Sequence, residues 1–156
     1  MFEVLAFVYE NCLGGDARPE PLHLERKLSA VGFETDEIHE AIDWLTGLSR
    51  VSRQEATAPW LIEPHPHSLR VYSAPEQKKL GAQCIGFLGF LGACTALTAH
   101  MREAIIDRAM ATPASPVALD DFKIIVLLVF WSFGLEPDAL VLDELCDSSA
   151  PARCVH

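Results

Sequence analysis

Apolar residues return at helical spacing along most of the chain. Within residues 2–13, Phe2, Leu5, Ala6, Tyr9 and Leu13 share one side of a 3.6-residue repeat. Gly14 and Gly15 stop that helix, and Pro19 and Pro21 mark a linker, with Pro21 suited to open the next helix. Residues 22–31 place Leu24, Leu28 and Val31 on one side, and Gly32 follows as a C-terminal cap. Thr35 caps a third helix over 35–48. Asp36 and Glu37 lie in its first turn, where the helix dipole favours negative charge. Its core stripe is Ile38, Ala41, Ile42, Leu45 and Leu48.

The pattern then changes. Residues 49–67 are polar and rich in Ser, Arg and Pro. Two short extended pieces, PWLI at 59–62 and LRVY at 69–72, predict a β-hairpin, with Pro64 and Pro66 demanding a loose loop between them. Helix, helix, turn, helix and hairpin in that order predict a winged-helix-like unit over residues 1–72.

Ser73 and Glu76 stand at capping-box spacing, the sharpest local signal in the chain. The helix they open runs over 75–97 through Leu80, Cys84, Phe87, Leu88 and Leu91. Gly86, Gly89 and Gly92 recur along it, each costing about 1 kcal/mol against Ala. That cost implies close approach of another helix to the bare face, and an exposed face over 86–92 would also suit a homodimer. Thr98 opens a fifth helix reaching Met110, which Pro113 and Pro116 break. Asp120 and Asp121 open a sixth over 122–134. It is apolar nearly all round, the signature of a bundle centre. Asp138 caps a last short helix, and residues 148–156 form a flexible tail. The fold class is therefore mainly α: a winged-helix-like N-terminal three-helix unit with a small β-hairpin, packed on a C-terminal helical unit over 73–147 that shares its core.

Half of the 156 residues are apolar, enough for a sizeable core. The formal charge is −10, and both parts are acidic, with 12 acidic and 6 basic residues through position 72 and 10 and 6 after it. Such a surface repels duplex phosphate over most of its area. Residues 35–48 would enter the major groove in a winged helix, yet they carry Asp36, Glu37, Glu40 and Asp43 and no Lys or Arg. Arg50, Arg53 and Arg70 are the cations nearest the expected wing. Trp60 and Tyr72 add aromatic surface beside them.

The opening MFEVL, Gly32-Phe33 followed by Ile38 and Trp44-Leu45, and SLRVYSAPE at 68–76 resemble the Smg family of small bacterial proteins. GFLGFL at 86–91, REAIIDR at 102–108 and LDDFK at 119–123 extend the resemblance over roughly residues 1–135. It implies a protein without an assigned activity or catalytic residue, often encoded beside a DNA-processing protein of natural transformation.

The candidate chemistry is thin. Cys12, Cys84, Cys94, Cys146 and Cys154 form no CxxC pair, and the His residues show no zinc-ligand spacing. The pattern suits free thiols in a reducing cytoplasm. Cys84 and Cys94 lie in an apolar helix, where a thiol behaves as a small hydrophobe. No GxSxG elbow or phosphate loop is present. The apolar runs 84–98 and 124–135 fall short of the about 20 residues a membrane span needs. These observations predict a cytoplasmic, non-enzymatic adaptor that binds another protein and holds no cofactor or metal. The candidate surface is Arg50, Arg53, Trp60, Arg70 and Tyr72. The alternatives are weak nucleic-acid binding through Arg50, Arg53 and Arg70, and an enzyme with an unfamiliar site.

Overall fold

The computed structural model describes residues 1–12, 20–54, 69–94, 97–137 and 139–147. Among these residues the chain is helical, without strands: α1 (Phe2–Cys12), α2 (Pro21–Val31), α3 (Thr35–Gln54), α4 (Ala74–Cys94), α5 (Ala99–Met110), α6 (Leu119–Ser132) and α7 (Ala139–Asp147).

The sixth helix is the centre, as its pattern predicts. Phe122, Ile125, Val126, Leu127, Leu128, Val129 and Phe130 are all buried, and α6 packs against α1, α3, α4, α5 and α7. A helix apolar on every side has to be enclosed on every side. The amphipathic helices supply the enclosure, each through one stripe: Val4, Leu5 and Val8 from α1, Ile38, Ala41, Trp44 and Leu48 from α3, Met101, Ile105 and Ala109 from α5. Leu24 and Leu28 of α2 lie in the same hydrophobic cluster, and α2 packs on α3. One continuous cluster therefore contains residues from both sides of position 72.

Three local signals acted where they were read, whereas Thr35 is the first helical residue of α3 and Glu34, whose O accepts from Ile38 N–H, takes the cap position. Gly32 closes α2, with its own N–H donating to Ser29 O and that of Phe33 to Leu28 O. Ser73 N–H donates to the Glu76 carboxylate at 2.8 Å, and Glu76 N–H to Ser73 Oγ at 3.4 Å, so the capping box is formed. Thr98 Oγ1 accepts from Met101 N–H and opens α5.

Four expectations need correction. The third helix does not stop at 48 but continues to Gln54. Val51, three residues beyond Leu48, extends its apolar stripe against the core, and Arg53 sits in the last turn, where the dipole favours a cation. The expected hairpin, and with it the winged-helix-like unit, is not supported: among the described residues 69–73 has no strand pairing, and 59–62 lies outside them. This segment is committed to α4 instead. Tyr72 O accepts from Gln77 Nε2, and Ser73 is spent in the capping box. Finally, Gly86, Gly89 and Gly92 face outward, and a Cβ on any of them would meet nothing within 4 Å. No helix of the described chain uses the bare face. Cys94, expected in the core, is likewise exposed, whereas Cys84 is buried.

The fourth helix is bent at Gly81, whose φ of 70° only glycine adopts readily. The bend frees a carbonyl: Lys79 O accepts from Val117 N–H at 2.8 Å, and Cys84 Sγ donates to Val117 O at 3.6 Å. The loop between α5 and α6 is thereby stitched to α4.

Candidate interaction surface

Arg70 lies on the strap 69–73, between α3 and α4 in the sequence. All five guanidinium N–H groups have acceptors. Nη1 and Nη2 donate to the two Glu76 oxygens at 2.7 and 2.8 Å. Nε and Nη2 donate to the Glu103 oxygens at 3.1 and 3.0 Å, and Nη1 donates to Val71 O at 2.6 Å. The fork geometry of arginine suits this double bidentate arrangement, which an ammonium could not make. The guanidinium also stacks 5.0 Å from the centre of the Tyr72 ring.

The electrostatic consequence is mutual. The Arg70 guanidinium holds the Glu76 carboxyl well down, to about 2, aided by the Ser73 N–H. It also lowers that of Glu103, and both carboxylates fix the charge on Arg70. Burial pushes the Tyr72 phenol up. One guanidinium shared by two carboxylates makes a clasp between the strap, α4 and α5.

Exposure alternates along the strap. With Arg70 and Tyr72 turned inward, Leu69 and Val71 point out, at 92% and 83% exposure. Large apolar side chains so bare, on a segment so firmly held, are the most conspicuous feature of this surface.

The remaining predicted residues do not join it. Arg50 and Arg53 are exposed on the last turns of α3. The same helix exposes Asp36, Glu40 and Asp43 at its other end, so it is acidic where it starts and basic where it stops. Trp60 lies outside the described residues. Of the five candidates, the structure brings together Arg70 and Tyr72 alone among the described residues.

Sequence reasoning missed a second polar cluster. Trp44 Nε1–H donates to Arg108 O at 2.9 Å, and Arg108 Nη1 donates to Trp44 O at 3.3 Å. Arg108 Nε and Nη2 also bond Asp107. A Cβ at Gly47 would collide with this guanidinium, so the bare backbone of α3 is its seat. The signal was a Gly inside a well-patterned helix, which often marks a close approach.

Two further titratable groups are shifted by burial. Burial pushes the Cys84 thiol up to about 11, the opposite of a reactive cysteine. Burial and neighbouring Asp120 raise Asp121, which lies with it in the first turn of α6. Among the described residues no three His, Cys, Asp or Glu side chains are grouped to hold a metal. No described helix is long and apolar enough to cross a membrane.

The fold and surface define a mainly helical protein, with a largely buried central helix and an apolar strap held out by an arginine clasp. A family model described as "Protein of unknown function (DUF494)" matches residues 1–156. Among its relatives, the Smg homolog of Methylibium petroleiphilum is 54% identical over 93% of both chains. That of Leptothrix cholodnii is 50% identical over the whole of both, and that of Bordetella pertussis 38% identical over 98% of this chain and 99% of its own. The chain belongs to this family, the one its sequence motifs resemble. No solved structure matches it.

Proposed function

We propose that the protein is a non-enzymatic adaptor of the cytoplasm, linked to DNA processing, that grips an apolar segment of another protein with the outer side of the 69–73 strap. The observation that carries this reading is the pair Leu69 and Val71, held almost bare by the clasp behind them. A fixed strap pays little ordering entropy on binding, which favours contact. The link to DNA processing rests on the neighbouring gene that the family resemblance implies.

The nucleic-acid alternative loses support because Arg70, one of its three cations, is neutralised by two carboxylates. The enzyme alternative loses support because the shifted carboxyls Glu76 and Glu103 are tied to that arginine. The test is affinity capture after crosslinking, comparing the native chain with a Leu69→Glu, Val71→Glu double variant, with nuclease added to half of each sample.

A further inference from the structure

The last helix is badly written for a helix on its own. At nine residues, α7 is shorter than the about 12–15 that isolated helices need. Its last turns carry Asp143 and Glu144, and no basic residue stands in the last turn. Negative charge there opposes the helix dipole. Yet Val141 and Leu145, one turn apart, are each 1% exposed. Docking must supply what the sequence withholds.

Lys123 supplies part of it. This lysine sits in the first turns of the most apolar helix in the chain, with its side chain 4% exposed. Its ammonium donates to Glu144 O at 2.7 Å and lies 3.8 Å from the Glu144 carboxylate. Glu144 O is among the last four carbonyls of α7, which have no partner inside the helix. The charge thus sits at the negative end of α7, where a cation is missing from α7 itself. The ammonium also lies 5.5 Å from the centre of the Phe87 ring, on α4. Because the end of α7 meets the start of α6, α7 folds back antiparallel along the central helix.

We propose that α7 is a latch: it is helical only while docked, Lys123 is its clasp, and it opens as a unit while the bundle stays folded. Opening uncovers the Lys123 ammonium beside Phe87 and the apolar surface that seats Val141 and Leu145. The closed latch shows what this groove accepts, a helix with apolar residues one turn apart that ends over the lysine. The inference stands apart from the adaptor reading, because it is tested with no partner present.

Hydrogen–deuterium exchange on the full chain at neutral pH decides it. Amides of 139–147 should exchange at least about tenfold faster than those of α5 and α6, the mark of opening below global unfolding. Lys123→Met keeps the length and removes the charge. It should speed α7 by about a further tenfold and leave α5 unchanged, since a hydrogen bond from a charged group is worth at least that factor. Should this variant fail to fold, Leu145→Ala, placed on the latch itself, should bring α7 close to unprotected exchange and leave α5 and α6 as they were. Exchange of α7 in step with α6 in the native chain would overturn the proposal. So would Lys123→Met with unchanged α7 exchange, or Leu145→Ala loosening α6 together with α7.

Discussion

Trp44 and Arg108 each bond the other's backbone carbonyl, at 2.9 and 3.3 Å, across the contact between α3 and α5. Each side chain thereby satisfies a buried polar group of its own and caps one on the opposing helix. The indole is 4% exposed, so its N–H would otherwise be buried without a partner, at a cost of about 1–3 kcal/mol. The reciprocity ties the N-terminal three helices to the later ones with two polar bonds between residues 64 positions apart.

This arrangement reverses the usual sign of a helix substitution. Gly47→Ala should gain about 1 kcal/mol from helix propensity. Here the added methyl has to displace the Arg108 guanidinium and break its bond to Trp44 O. Net destabilisation of about 1–2 kcal/mol is expected in urea unfolding. In an Arg108→Ala background the same substitution should stabilise. A double-mutant cycle measures this coupling.

The clasp at Arg70 predicts a pH window. Glu76 has its pKa lowered from 4.5 to about 2, and Glu103 is lowered too. Carboxyls with depressed folded values stabilise fully above the unfolded value and lose that contribution as pH falls through the folded one. Stability should therefore fall between about pH 4.5 and 2. Glu76→Gln should cost about 1–2 kcal/mol at pH 7 and flatten the acid limb. An acid limb as steep as the native one would show that other groups carry the transition.

Thiol labelling separates Cys84 from Cys94. Cys94 is exposed, while Cys84 is 1% exposed and its pKa is raised. At pH 8 in native conditions, an alkylating reagent followed by mass mapping should modify Cys94 promptly. Cys84 should react only as the protein unfolds.

Much of the fold could be read from the chain, because its signals are local. The capping box at Ser73, the Gly32 cap and the all-round apolar run of α6 each concern residues a few positions apart. The end of α3 was misread because polar composition over 49–54 masked Val51, which continues the stripe from Leu48. The site was less legible for a different reason. Arg70 looked like a free surface cation, since one of its carboxylate partners lies 33 residues on. The other, Glu76, was visible in the sequence but already assigned to its cap. The exposure of Leu69 and Val71 follows from that tertiary clasp, so periodicity alone could not show it.

Arg50 and Arg53 separate the adaptor from the nucleic-acid reading. Replacing both with Glu should cost about 1 kcal/mol, because negative charge in the last turns of α3 opposes the helix dipole, and should leave protein capture intact. Weak DNA binding with a salt slope that this variant abolishes would favour the alternative.

The strap itself gives the most direct measurement. Native chain and the Leu69→Glu, Val71→Glu variant are expressed at endogenous level, crosslinked and captured with and without nuclease, and thermal unfolding is run beside them. The account predicts a partner protein that survives nuclease with the native chain and is lost from the variant, at unchanged thermal stability. A partner set that vanishes with nuclease, or one the variant retains in full, would contradict it.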